Sequence, residues 1–306
     1  MTNKSLTVFT PTYNRKHLLG RLYDSLKRQT CNDFVWLIVD DGSTDDTREL
    51  IEGYIAENAG RPEASRLEIV YIYRENGGKM RAHNDGVRNC TTKFFLCVDS
   101  DDYLVDTAVE NLLNIANLKL TSASIEDGKE AKKVSKELAG IISHKGKSET
   151  ELLTGVNFPE GISKSGLYNL YLNGFKGETT IMFVTDVIRQ FPFPEIEGEK
   201  YVPEDYIYDK IDRQYEYVVL DKIITVCELV DEGYTDSVVK LKNNNPVAFR
   251  LYYEQRAIIT PLSVLKIKYA GFYVKYAKKC KVDCFNTKLS RAYVVIGLLA
   301  SVFINE

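Results

Sequence analysis

Phe34-Val35-Trp36-Leu37-Ile38-Val39-Asp40-Asp41-Gly42-Ser43-Thr44-Asp45 is the stretch that decides the fold class. Its apolar run is too short for an ordinary buried helix, and its β-branched and aromatic content reads as a strand covered on both faces. Two carboxylates, a glycine and a hydroxyl follow at once, so the strand stops at a turn. The same shape recurs on either side. Residues 6–10, 68–73 and 93–98 are further short apolar or β-branched runs. Between them, 15–28, 45–57 and 79–90 mix polar and apolar residues with helical period. Asn14 precedes the first of these stretches and Ser43 and Thr44 the second, all residue types suited to N-caps. Strand–helix–strand alternation predicts a parallel sheet with helices on its faces. Ligands of such sheets bind beyond the carboxyl ends of the strands. That rule selects 10–15, 40–44, 75–79 and 99–102 as the places to look for a site.

Further along, a helix is expected after Asp106, then an exposed polar stretch over 121–136. Residues 138–143 and 179–184 read as strands, 166–174 as an aromatic loop, and 203–215 as a helix with Pro203 in its first turn. Residues 218–221 and 223–228 read as a closing β-hairpin or ladder, and the chain from Pro246 onward as helical and aromatic. The expected division is a domain over 1–240, in halves 1–115 and 116–240, followed by a helical tail over 241–306.

Composition sets the outer limits. A chain of 306 residues, 44% hydrophobic and 27% charged, suits one large α/β domain with an appendage and excludes global disorder. Its 40 basic and 43 acidic side chains leave a net charge of −3, which argues against a nucleic-acid binder. The balance is uneven: from Thr260 to the end, Lys266, Lys268, Lys275, Lys278, Lys279, Lys281, Lys288 and Arg291 face only Asp283 and Glu306. The six cysteines form no C-x-x-C pair and read as reduced thiols of a cytoplasmic protein. No secretory leader is apparent at the N-terminus. The longest apolar run, 292–304, is interrupted by Gly297 and Ser301. It falls short of the roughly 20 residues that span a bilayer.

Chemistry gathers at the strand ends. Asp40-Asp41 follows one predicted strand and Asp99-Ser100-Asp101-Asp102 another. Carboxylates this close repel one another unless a cation or hydrogen-bond donors sit among them. All-oxygen clusters suit Mg2+ or Mn2+, which typically combine one or two carboxylates with phosphate oxygens. Turns and N-caps use the same residues, and one cluster alone would leave the two readings level. Two clusters at neighbouring strand ends favour the cation.

Four strings in order then carry a resemblance: Thr10-Pro11-Thr12-Tyr13-Asn14-Arg15; Val39-Asp40-Asp41-Gly42-Ser43-Thr44-Asp45; Asn76-Gly77-Gly78-Lys79 through Asn84 and Gly86; and Asp99-Ser100-Asp101-Asp102. Over 5–115, and more loosely to about 230, the series resembles the nucleotide-sugar half of family-2 inverting glycosyltransferases of the GT-A fold. The resemblance implies an α/β fold, a Rossmann-like, mostly parallel central sheet flanked by helices, here with a C-terminal helical extension. It implies that Thr10, Pro11 and Tyr13 wall a nucleobase pocket, that Asp40 accepts a hydrogen bond from the base, and that Arg15 and Asn76 belong to the same nucleotide-sugar site. It also implies that Lys79 reaches ribose or diphosphate, that Asp99 faces the ribose, and that Asp101, with Asp102 as second ligand, holds Mn2+ or Mg2+. Many members carry Ala-Arg-Asn where Ala82-His83-Asn84 stands here. Arg81 and Lys79 are the cations available instead, and exposed positions on a helix face are the other reading of Arg81 and His83.

Inverting transfer needs a carboxylate to take the acceptor's proton. By resemblance that base is Asp205, with Glu204 beside it. Acidic residues also favour the first turn of any helix, so position alone leaves capping and catalysis level. The dispersed His17, His83 and His144 form no metal triad. Processive members carry Gln-x-x-Arg-Trp, and with Trp36 as the only tryptophan that motif is excluded. The expected activity is one-sugar transfer from a UDP-sugar to a glycan or lipid-linked acceptor in bacterial surface polysaccharide synthesis. A nucleotide-sugar binder without catalysis and a sugar-nucleotide nucleotidyltransferase are the alternatives, and a homodimer is kept open. In the tail, 266–281 reads as a basic aromatic helix lying on the inner face of the cytoplasmic membrane, and 294–304 as packed on the catalytic domain.

Overall fold

The computed structural model describes residues 4–120, 136–227 and 238–304. Most of the polar stretch 121–136, Glu228 of the expected hairpin and Glu306 of the tail lie outside the described residues. The chain forms two compact units, Met1–Pro192 with Tyr208–Val230, and Phe193–Ile207 with Asp231–Glu306. This differs from a cut at 240, because Phe193–Ile207 groups with the C-terminal helices.

In the first unit the strands are β1 (Leu6–Thr12), β2 (Phe34–Asp40), β3 (Glu68–Tyr73), β4 (Phe94–Cys97), β5 (Asp102–Leu104), β6 (Glu137–Gly146), β7 (Lys164–Ser165), β8 (Thr179–Val184) and β9 (Tyr215–Cys227). They form one sheet in the order β3-β2-β1-β4-β8-β6-β9-β5, with β7 beside β9. β5, β7 and β8 run antiparallel to their neighbours and the other six strands share one direction. Every residue of β1 and β2 is buried, as their unbroken apolar runs require. Helices α1 (Lys16–Lys27), α2 (Thr47–Ala59) and α3 (Lys79–Asn89) follow the first three strands, and α4 (Ala108–Lys119) follows β5. The core packs Leu19, Leu22 and Tyr23 of α1 and Leu112 of α4 against Leu6, Val8, Trp36 and Leu96 of the sheet.

Two departures from the expected elements have tertiary causes. Residues 166–174 contain a helix, α5 (Leu167–Leu172), whose first turn is satisfied when the Tyr168 amide donates to Asp212 Oδ2 at 2.6 Å. That cap lies 44 residues away and leaves no local signature. Of the expected hairpin or ladder the structure forms the ladder: 218–227 lie in the single strand β9, paired in parallel with β6 and antiparallel with β5 and β7. Asp221 and Lys222 look like a turn in sequence, but they sit exposed in mid-strand while β-bulges in the β6 pairing take up the irregularity. The unit also holds α6 (Thr185–Ile188), and α7 (Asp205–Asp212) ends in it.

The second unit comprises α8 (Val238–Asn244), α9 (Pro246–Ile259), α10 (Val264–Lys279), α11 (Arg291–Ala300) and the Phe193–Ile207 segment. Glu199 joins that segment to α9 by accepting from the amides of Val247 (2.7 Å) and Ala248 (2.8 Å), two donors a helix start leaves without internal partners. Asn245 Oδ1 accepts in turn from the amides of Lys200 and Tyr201. Phe249, Tyr253, Phe272, Tyr273 and Tyr276 build an aromatic core. The tail thus inverts the expected arrangement. α10 buries Ala270, Phe272, Tyr273, Val274, Tyr276 and Ala277, and even Lys266 is buried, its ammonium donating to the carbonyls of Ile258 (3.1 Å) and Thr260 (2.8 Å). α11 approaches α10 through Gly297, where a Cβ would lie 2.6 Å from the Ala270 carbonyl oxygen. Val295 and Leu299 of this helix are exposed, as are Val302 and Phe303 just beyond its end. Among the described residues no helix is long and apolar enough to cross a membrane.

Candidate functional site

The carboxyl ends of β1, β2, β3 and β4 carry the predicted site residues, and hydrogen bonds between their loops fix them. Asn14 stands at φ 53°, in the left-handed region that asparagine tolerates. Its Oδ1 accepts from the Thr44 amide (2.7 Å) and its own amide donates to Ser43 Oγ (2.9 Å). Asn14 and Thr44 therefore lock two loops together. They do not cap α1 and α2, whose N-cap positions are Arg15 and Asp46.

Asp40 is buried, and each of its oxygens already accepts one bond, from the Ser43 amide (2.8 Å) and from the Tyr71 hydroxyl (2.7 Å). Burial first, then Asp40, pushes the Tyr71 hydroxyl well above the usual tyrosine range, so it stays a donor. Asp41 orders the next loop. Its carboxylate accepts from the amides of Gly77 (3.0 Å) and Gly78 (2.6 Å) and pairs with Arg74, while its carbonyl accepts from Asn76 Nδ2 (2.8 Å). Gly42 between these loops has φ 86°, and a Cβ there would lie 2.7 Å from the Asn76 amide nitrogen, so only glycine fits.

Thr10 is spent on the core, its hydroxyl accepting from Trp36 Nε1 at 3.0 Å. Pro11 is buried, Arg15 is half-buried, and Tyr13 is 47% exposed just past β1. Arg81 donates to the Gly77 carbonyl (3.0 Å). His83 matches neither expectation for its helix face. It is 5% exposed and meets the rings of Phe9 and Phe95 edge-on, with centroids 5.7 and 5.4 Å away. The flat imidazole ring packs between two phenylalanines, where the longer guanidinium of an arginine would have to bring its charge among apolar rings.

The cluster after β4 is divided among cations. Lys79, opening α3, pairs with Asp99 at 2.8 Å. Burial opposes the Asp99 charge, but Lys79 and then Lys145 outweigh it and hold the carboxyl below its ordinary range. Lys145 reaches in from β6 to pair with Asp102 at 3.0 Å. Burial raises the Asp102 carboxyl against that pairing, with Asp99 adding to the rise. Burial also works against the Lys145 charge, and Asp102 ahead of Cys227 and Asp99 overcomes it, so the ammonium is retained. Asp101 is different. Its carbonyl accepts from Arg21 (2.7 Å), and its half-buried carboxylate has no hydrogen bond or ion pair among the described residues. No trio of His, Cys, Asp or Glu side chains converges on a metal position among the described residues. Of the expected metal pair, Asp101 is therefore the carboxylate left to fit a hard divalent cation, completed by oxygens of a ligand, while Asp102 in the same turn is matched by Lys145.

Asp205 and Glu204 belong to the second unit, at the start of α7. There Asp205 pairs with the buried Arg256 at 2.9 Å. Burial raises the Asp205 carboxyl above its ordinary range; Arg256 opposes the shift and Glu204 adds to it. Sequence reading missed Asp41, Tyr71, Lys145 and Arg256. Asp41 alone carried a signal, its place in the Asp40-Asp41 pair.

Comparison with known proteins bears on the family and the fold. Residues 7–126 match the family described as Glycosyl transferase family 2. Over 114 residues the chain is 32% identical to the glycosyltransferase GlyA of Streptococcus pneumoniae, covering 37% of this chain and 15% of that protein. The chain spans only 15–32% of the length of the first such relatives. Two solved structures share the fold. S. aureus TarS 1-349 in complex with UDP-GlcNAc has a TM-score of 0.55 at 18% identity, covering 97% of this chain and 79% of that one. The mannosyltransferase PcManGT of Pyrobaculum calidifontis, in complex with GDP-Man and Mn2+, has a TM-score of 0.57 at 16% identity, covering 100% of this chain and 82% of that one.

Proposed function

We propose that this chain is a non-processive glycosyltransferase that moves one sugar from a UDP-sugar to a glycan or lipid-linked acceptor, with inversion at the anomeric carbon. The observation that carries this reading is the division of charge after β4. Asp99 and Asp102 are each matched by a lysine, while the Asp101 carboxylate has no partner among the described residues. A strand end built that way suits an anionic ligand accompanied by a cation. Mn2+ or Mg2+ would be held by Asp101, next to an Asp102 that Lys145 already matches, and such an ion, when bound, would neutralise a leaving diphosphate. The remaining work belongs to the chain. Lys79 presents its ammonium to ribose or diphosphate, Tyr13 is exposed enough to pack on a base, and Asp40 stands among the base-pocket loops. Asp205 takes the acceptor's proton, with Glu204 next to it. Burial lifts Asp205 from its ordinary range toward the working pH of a general base, and Arg256 orients it.

The choice of UDP draws support from the TarS complex with UDP-GlcNAc, whereas PcManGT holds GDP-Man, so the base is tested directly. The apolar residues exposed on α11, with the lysines of the tail, support docking on an anionic membrane from the cytoplasmic side, as bacterial surface polysaccharide synthesis on lipid-linked acceptors would require. Nucleotide release from UDP-Glc, UDP-Gal, UDP-GlcNAc, UDP-GalNAc and GDP-Man, measured with Mn2+ and candidate acceptors, should identify one UDP-sugar. Asp205→Asn should abolish release while UDP still binds, and Asp101→Ala should remove the dependence on Mn2+. Turnover of Asp205→Asn at the wild-type rate would refute the assignment of the base.

A further inference from the structure

Lys145 belongs to no motif of the sequence and comes from β6, outside the strand-end loops. The pairing of β6 with β9 shifts register between Ser143 and His144 and again between His144 and Lys145. Such bulges re-aim side chains. Here His144 turns to Asp221 (2.9 Å) while its neighbour Lys145 turns to Asp102 Oδ2 (3.0 Å). Both backbones are pinned. The Lys145 amide donates to the Glu178 carbonyl (3.1 Å) and its carbonyl accepts from Leu153 (3.0 Å). Asp102 is paired in register with Cys227, and its amide donates to the Asp99 carbonyl (3.1 Å). An exposed ion pair can swing open, but Asp102 is only 6% exposed and its partner is held by a bulged strand.

We infer that Lys145 sets the charge of the donor site: by cancelling Asp102 it leaves Asp101 as the one uncommitted carboxylate offered to a divalent cation. This rests on the proposed role of Asp101 in binding that cation. A site with a single available carboxylate binds a divalent cation weakly and depends on phosphate oxygens for the remaining ligands. Cation and nucleotide then bind in a coupled way, each tightening the other by the same factor. Freed of Lys145, Asp102 would be open to the divalent ion as a second carboxylate ligand, the ion replacing the ammonium as its counter-charge, and the protein would depend less on phosphate oxygens to hold it.

Titration of Mn2+ into the nucleotide-free protein, followed by the loss of the free-ion electron paramagnetic resonance signal, tests this without turnover. Lys145→Met should tighten Mn2+ binding by about tenfold, the scale expected for removing one nearby charge in a partly screened site. Adding Asp102→Asn to that variant should return the affinity close to wild type, and Asp101→Ala should abolish binding. The factor by which UDP tightens Mn2+ binding should fall in Lys145→Met. If Lys145→Met does not fold, Lys145→Gln keeps a donor for Asp102 without the charge and is read in the same way. Unchanged or weaker affinity in the folded variant would overturn the inference, as would a double variant that binds as tightly as the single one. Wild-type binding that is lost in Asp101→Ala but unmoved in Lys145→Met defeats the inference alone. No binding in any variant defeats the cation reading and this inference together.

Discussion

Replacing Asp41 by alanine should loosen the loop that delivers Lys79. The Asp41 carboxylate is 3% exposed and serves three donors: the amides of Gly77 and Gly78 and the guanidinium of Arg74. Hydrogen bonds to a charged group contribute about 1.5–3 kcal/mol each and are not additive. Removing one partner of a buried pair costs about 3–5 kcal/mol, mostly from the charge left behind. Arg74 keeps Asp85 as a second partner at 2.7 Å and is 22% exposed, which softens that residual cost. The expected loss is therefore near the lower bound, about 3 kcal/mol. Asp41→Asn, which retains an acceptor, should lose about half as much. Amide hydrogen exchange at Gly77 and Gly78 reads the loop directly, and 3 kcal/mol corresponds to about a hundredfold faster exchange. Because Lys79 follows immediately, UDP affinity should fall as well. Exchange at both glycines within threefold of wild type in a folded Asp41→Ala protein would refute the assigned role of Asp41.

Gly86→Ala should destabilise the first unit by about 1–3 kcal/mol through overpacking, because a Cβ there would lie 2.4 Å from the Phe9 ring; thermal unfolding measures it. His144 has its proton affinity lowered, chiefly by burial, with Asp221 opposing. The unfolded chain then binds a proton first, so stability should fall as pH drops below about 6.5 and level off once the folded-state value is passed. Urea unfolding across that window should show the slope, and His144→Gln should flatten it. Arg256→Met removes the cation that restrains Asp205, whose carboxyl should rise further. The acidic limb of the rate–pH profile should then move to higher pH, and an unmoved limb would separate Asp205 from the observed ionisation. The same change leaves Asp205 without its partner at an estimated loss of about 3–5 kcal/mol, reduced by its partial exposure.

The nucleotide half was legible because its structure is written in short-range patterns. β3 and β8 have the predicted bounds, and β1, β2, α1 and α3 differ by one or two residues at an end. Unbroken apolar runs make strands that are buried on both faces, and the polar residues that stop them fall at the carboxyl edge. The second half was less legible because its elements are completed from far away. Asp212 caps α5, and β9 runs straight through Asp221 and Lys222 because β6 bulges to meet it. The tail was less legible for a related reason. Composition shows aromatic and basic residues in α10 and an apolar run in α11, but which side each buries depends on the close approach at Gly297.

The residues of this chain, by their order alone, specified a parallel-type sheet, the strand ends at which chemistry would gather, and the acidic groups there. Periodicity and turn chemistry are local, and a sequence records them directly. Tertiary structure decided which of those groups remain uncommitted. Asp40 and Asp41 look equivalent in sequence, yet one ties its own loop to Tyr71 and the other holds the loop before Lys79. Asp99, Asp101 and Asp102 look like one cluster, yet two are matched by lysines and one is not. A carboxylate's role depends on the charges within a few ångströms of it, and those came from Lys79, 20 residues away, and Lys145, 43 residues away.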